Sequence, residues 1–171
     1  VIIGTRSGKV LALNKSGEPL PEWGYDTGRL VRQIAISPQA PNYVVISSED
    51  RCIHVLDSTT GKPCWEKYRT GDWVRCVFVG DIDGDGRVEI LGGSGDNYLY
   101  ILDDHGNYLD KLYLGYQCFA LFAAPLENGG PIHILTSSTE KELTVWTISR
   151  QGQQWKYKKA WEKSSDALLF E

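Results

Sequence analysis

The sequence repeats itself. Val1-Ile2-Ile3-Gly4 returns as Val44-Val45-Ile46-Ser47, as Glu89-Ile90-Leu91-Gly92 and as His133-Ile134-Leu135-Thr136, at offsets of 43, 45 and 44 residues. A second apolar run follows each of these after a short polar turn, over 9–13, 52–56, 98–102 and 142–146. A glycine turn comes next, at Gly17, Gly61, Gly106 and Gly152. A further apolar run precedes the first landmark, over 31–36, 74–79 and 118–123, with 166–170 as a fourth instance. A fixed period of this size means that each unit is one supersecondary element, too small to bury its own apolar faces and obliged to lean on its neighbours.

The runs are short, rich in Val, Ile, Leu, Tyr and Trp, and bounded by Gly, Asp, Asn and Ser, which is the composition of strands. No window shows the 3.6-residue stripe of an amphipathic helix. Four strands in a unit of about 40–45 residues is the size of a propeller blade. The expected fold is therefore all-β: a β-propeller with about four blades' worth of four-stranded antiparallel sheet. Residues 1–28 supply the last three strands of one blade, 29–71, 72–115 and 116–160 are full blades, and 161–171 supply the innermost strand of the next. An arc of a ring of about seven or eight blades is the preferred reading, and a ring of four that closes on itself is the alternative.

The sequence begins inside an apolar run and contains no Met, so it is expected to be a piece of a longer protein. The net charge of −4 gives no footprint for nucleic acid or an anionic membrane. No apolar run reaches the roughly 20 residues of a membrane-spanning helix. Cys52, Cys64, Cys76 and Cys118 form no CxxC pair, and each sits in an apolar, strand-like setting. They are expected to be buried free thiols, which leans toward a reducing, cytoplasmic setting and leaves the compartment open.

The sharpest chemical motif is Asp81-Ile82-Asp83-Gly84-Asp85-Gly86-Arg87-Val88-Glu89. Carboxylates at positions 1, 3 and 5 of a tight loop converge, glycines permit the turn, position 7 (Arg87) offers its backbone carbonyl and Glu89 offers a fourth carboxylate. That is the oxygen-only donor set that calcium prefers. The loop is not an EF-hand, because a strand resumes at Glu89 and position 12 is Gly92. It resembles the FG-GAP repeat of integrin-like propellers, which implies a calcium-binding loop between the first and second strands of a blade. The corresponding loops of the other blades lack the acids, so one structural calcium is expected, held by Asp81, Asp83, Asp85, Arg87 and Glu89; the alternative is a solvated acidic turn whose Asp side chains cap the loop backbone without metal.

Leu56-Asp57-Ser58-Thr59-Thr60-Gly61-Lys62-Pro63-Cys64-Trp65 is similar to the D-x-x-T-G-x-x-x-W signature of quinoprotein-like blades. The resemblance implies a tight Thr-Gly turn and a Trp packed between blades, and no cofactor. Leu143-Thr144-Val145-Trp146 resembles a WD40 strand. Arg32 and Arg75 hold equivalent places near the start of the inner strand, at the mouth of the ring, where two guanidinium groups could hold a carboxylate or phosphate or else form structural salt bridges between blades. Trp73 beside them is a candidate aromatic anchor. His54, His105 and His133 share no ligand spacing and receive no role. No catalytic residue is assigned.

These features favour a non-catalytic scaffold that binds a protein or peptide partner on one face, with Arg32, Trp73 and Arg75 as the contact residues. Two other classes stand beside it. One is an arc of a propeller enzyme whose active site lies outside these residues. The other is a ligand-binding sensor domain of a signalling protein.

Overall fold

The computed structural model describes residues 1–128, 130–138, 142–152 and 154–164. These residues form strands and no helix, so no helix is long and apolar enough to cross a membrane. The first sheet has three strands, β1 (Ile2–Gly4), β2 (Lys9–Leu13) and β3 (Pro19–Asp26). The second contains β4 (Val31–Ser37), β5 (Ala40–Ser48), β6 (Cys52–Asp57) and β7 (Tyr68–Arg69). The third contains β8 (Val74–Gly80), β9 (Glu89–Ser94), β10 (Tyr98–Leu102) and β11 (Tyr108–Tyr113). The fourth contains β12 (Ala120–Pro125), β13 (Ile132–Ser137), β14 (Glu142–Gln151) and β15 (Gln154–Ser164). Within each sheet the strands follow chain order and pair antiparallel.

Alternation along each strand explains how the sheets, or blades, stack. Successive side chains point to opposite faces. In β5, Val44 and Ile46 pack with Val10, Ala12 and Trp23 of the first blade, while Val45 packs with Val74 and Val77 of the third. In β9 and β10, Ile90, Tyr100 and Leu102 face the second blade, while Leu91, Leu99 and Ile101 face Leu121, Ile134 and Trp146 of the fourth. Both faces of the two middle blades are therefore buried, and their strands read as continuous apolar runs. Fully burying each Val, Leu or Ile contributes about 1.5–3 kcal/mol, so these between-blade layers dominate the stability.

Polar links tie one blade to the next. The Trp23 ring lies over the turn at Gly61 and its Nε1–H donates to the Ser58 carbonyl at 2.9 Å. Trp65 lies in the same way over Gly106 of the third blade, the between-blade packing expected of that residue. Asp57 Oδ1 accepts from the Thr59 and Thr60 amides and the Thr60 hydroxyl, closing the turn ahead of Gly61. Gln33 Oε1 accepts from the Val77 amide at 3.0 Å, joining two inner strands.

Two expectations are corrected. Trp161 does not begin a new inner strand: β15 runs on to Ser164, with Trp161 opposite Val145, so 161–164 belong to the outer strand of the fourth blade. Residues 165–171 lie outside the described residues. Cys64 is exposed, because 62–67 form a loop between β6 and the two-residue β7, whereas Cys52, Cys76 and Cys118 are buried free thiols as expected.

Candidate functional site

The acidic loop joins β8 to β9. Gly84 and Gly86 adopt φ of +82° and +86°, the left-handed region that lets the chain turn twice within nine residues. Between the acids, Ile82 is 1% exposed and anchors the loop in the core shared by the third and fourth blades. The Asp side chains brace the turn: Asp81 Oδ1 and Oδ2 accept from the Gly84 and Gly86 amides at 2.7 and 3.0 Å, Asp83 Oδ1 from the Asp85 amide at 3.1 Å, and Asp85 Oδ1 from the Arg87 amide at 2.8 Å.

Glu89, the first residue of β9, is 2% exposed, and its Oε2 accepts from the Ile82 amide at 3.0 Å. Burial above all, and then the charges of Asp83, Asp85 and Asp81, push its carboxyl up to about 7, against the pull of the Ile82 amide. One carboxylate oxygen from each of Asp81, Asp83 and Glu89 lies within 4.8 Å of the others. Calcium–oxygen distances of about 2.3–2.6 Å allow three oxygens at such separations to share one ion. The donor set is hard and oxygen-only, and a dication among these carboxylates would relieve both the repulsion and the burial of Glu89. The residues therefore fit the group that the motif implies.

The fourth acid stands apart. Arg150, near the end of β14, reaches back from the fourth blade, with Nη1 at 3.1 Å from Asp83 and 3.7 Å from Asp85. Its guanidinium also lies 5.1 Å from the centre of the Trp155 ring. Asp85 faces Arg150 across an open cleft of about 350 Å³ lined by Asp83, Gly84, Asp85, Arg150 and Gly152. The Asp81–Asp83–Glu89 group thus carries the cation geometry, and Arg150 competes with any ion for Asp83.

At the start of the inner strands, Arg32, Arg75 and Phe119 hold equivalent positions. Val31 pairs with Ser48, Val74 pairs with Ser94, and the Phe119 amide bonds the Ser137 carbonyl. Arg32 is ion-paired to Glu49 of its own blade, so its bridge lies within a blade instead of between blades. Arg75 forms no ion pair among the described residues, and its Nε is buried without a hydrogen-bond partner. Its Cζ lies 4.4 Å from the Phe119 ring centre and 5.7 Å from that of Trp73, which is 39% exposed. Burial first, then the charge of Arg32, disfavour its cation.

No family model matches the chain. No curated protein matches it either. Solved structures do. BamB from Moraxella catarrhalis aligns with a TM-score of 0.64 at 17% identity, over 95% of this chain and 44% of that one. BBS1N, solved in complex with ARL6DN, aligns with a TM-score of 0.69 at 13% identity, over 98% of this chain and 50% of that one. The fold is a β-propeller. The chain spans about half the length of the solved structures it matches.

Sequence reasoning missed three arrangements. Arg150 on the acidic loop is one. The second is a polar chain running from the first blade into the second: Tyr25 Oη is 3.0 Å from His54 Nδ1, His54 Nε2 is 3.1 Å from Asp50 Oδ1, and Lys67 Nζ donates to Asp50 Oδ2 at 2.8 Å. The third blade repeats it in part, with the Tyr100 hydroxyl donating to Asp96 Oδ2 at 2.5 Å. The third is a contact between buried thiols of neighbouring blades, from Cys76 Sγ in β8 to Cys118 Sγ just ahead of β12, at 3.5 Å.

Proposed function

We propose that this chain is a non-catalytic β-propeller scaffold that binds a protein or peptide at the mouth of its inner strands, and that one structural calcium braces the loop at 81–89. The observation that carries the binding reading is Arg75: a cation with a buried, partnerless Nε, beside a half-exposed Trp at the entrance of the inner strands. No acid among the described residues pairs with this guanidinium, and an unpaired cation beside an aromatic anchor suits an incoming acceptor. That BBS1N is solved in complex with ARL6DN supports a partner-carrying role for such a fold.

The site chemistry favours a scaffold over a catalyst. Tyr25–His54–Asp50 has the order of a proton relay, but His54 is 1% exposed and both its ring nitrogens are engaged, which leaves no base facing a substrate. The acidic loop braces its own backbone, and its core of carboxylates sits at a strand junction. A cation there would fix β8 against β9, in competition with the fourth blade's Arg150 for Asp83.

Two measurements test the reading. In the first, Trp73→Ala/Arg75→Ala and the unmodified chain are compared as baits, and a retained protein is then purified and its binding measured directly. A partner that binds both baits equally would refute the assigned surface. In the second, calorimetric calcium titration of the unmodified chain and of Asp83→Ala should give a saturable heat only for the former.

A further inference from the structure

The second and third blades share a turn whose sequences read Ser48-Glu49-Asp50-Arg51 and Ser94-Gly95-Asp96-Asn97. The equivalence is structural. Arg51 and Asn97 adopt φ of 71° and 70°, and the Asp50 and Asp96 amides both donate to the preceding Ser hydroxyl. The Glu49 amide bonds the Leu30 carbonyl, as the Gly95 amide bonds that of Trp73. In the second blade this turn supplies the carboxylate of Glu49, which neutralises Arg32. In the third blade the same place is Gly95, and the equivalent cation, Arg75, is ion-paired to no acid among the described residues.

We propose that Arg75, held between Trp73 and Phe119, is the seat for a carboxylate side chain presented by an acidic segment of the bound protein; this rests on the scaffold reading above. The seat is built from three observations. The rings of Phe119 and Trp73 lie 4.4 and 5.7 Å from Cζ and hold the guanidinium without supplying an oxygen acceptor. The buried Nε has no partner. Among the described residues the nearby acids are Glu49, committed to Arg32, and Asp72, which lies outside ion-pair distance of Arg75 and rests against Gly95. A planar guanidinium matches a carboxylate in a bidentate fork, and no ion pair among the described residues occupies this one. Only one guanidinium here is uncommitted, so the site matches a single negative charge better than a phosphate dianion. The exposed edge of Trp73 offers apolar contact to the methylenes of a Glu.

The test uses the ¹⁵N-labelled chain and N-acetyl-glutamate-N-methylamide as the probe, with the glutamine analogue and inorganic phosphate as parallel arms. The glutamate probe should shift the Arg75 Nε–H and Trp73 indole signals saturably, with a dissociation constant in the millimolar range expected of a single charged contact. The glutamine analogue should leave them in place. Arg75→Gln should abolish the Trp73 shift, whereas Arg32→Gln should keep it. Equal shifts from both amides, saturation by phosphate alone, or no saturable shift would overturn the proposal. The contrast on the unmodified chain decides the matter even if Arg75→Gln does not fold. Should the probe fail while Trp73→Ala/Arg75→Ala still loses a purified partner, the scaffold reading stands and the carboxylate seat alone falls.

Discussion

Replacing Gly106 with Ala tests whether the blades are held by a Trp ring closing over the next blade's turn. Gly106 has φ of +81°, and a Cβ built there would lie 2.5 Å from the Trp65 ring. Two costs follow. The left-handed backbone costs an L-residue about 1–2 kcal/mol, partly offset by the lower entropy of the unfolded Ala chain. Forcing a methyl against a packed ring costs about 1–3 kcal/mol more. Gly115 isolates the first term, since its φ is +85° and nothing lies within 4 Å of its would-be Cβ. Gly115→Ala is therefore expected to cost about 1 kcal/mol and Gly106→Ala about 2–4 kcal/mol. Urea unfolding followed by Trp fluorescence resolves the difference as a shift in midpoint at constant slope. In a Trp65→Ala background the excess cost of Gly106→Ala should vanish, because the overlap term is pairwise. Equal costs at Gly106 and Gly115, or an excess that survives removal of Trp65, would show that the ring does not bear on that turn.

Calcium at about one hundred times its dissociation constant should add about 2.7 kcal/mol of stability, raising Tm by roughly 5–10 °C in a chain of this size, and Asp83→Ala should remove the gain. Arg150→Gln should tighten calcium binding, since the guanidinium 3.1 Å from Asp83 competes with the ion; weaker binding in calorimetry would contradict that competition. Burial alone would raise the Asp50 carboxyl, but hydrogen bonds from His54 and Lys67 outweigh it and hold the group well below the usual carboxylate range. A depressed carboxyl contributes stability that is fully present above its unfolded value and lost as pH falls below about 4, so Asp50→Asn should lower stability at neutral pH by about 1–3 kcal/mol and flatten the acid limb of the stability profile. Gly93→Ala places a methyl 2.5 Å from Cys76 Sγ and 2.7 Å from Cys118 Cβ, and thermal unfolding should show a loss that Cys76→Ala, which removes the nearest of these atoms, partly restores.

The blades were legible because their determinants are local. A strand buried on both faces reads as an apolar run, a tight turn needs its glycine, and both recur with every unit. The acidic loop was legible for the same reason, since its donors lie within nine consecutive residues. What escaped was the cross-blade chemistry. Arg150 meets Asp83 across 67 residues of chain, and nothing in its own neighbourhood marks it. The Tyr25–His54–Asp50 chain did leave a signal: an Asp in the turn and a polar ring four residues later, at Asp50 and His54 and again at Asp96 and Tyr100. Aligning the turns as well as the strands would have exposed it.

That alignment also separates structure from function in a repeat. A position filled alike in several blades serves the stacking that all blades share, as the turn Asp does when it holds a strand residue at the same place in two sheets. A position where one blade breaks the arrangement cannot be explained by that common need. The Arg32–Glu49 pair is the self-sufficient form of the mouth position. In the next blade the arginine is retained, the acid becomes Gly95, and the neighbours become Trp73 and Phe119. A cation kept without its acid costs desolvation that stacking does not require. On the proposal made here, that cost is met by an acid that arrives from outside, and the glutamate probe and the Arg75→Gln comparison decide whether it does.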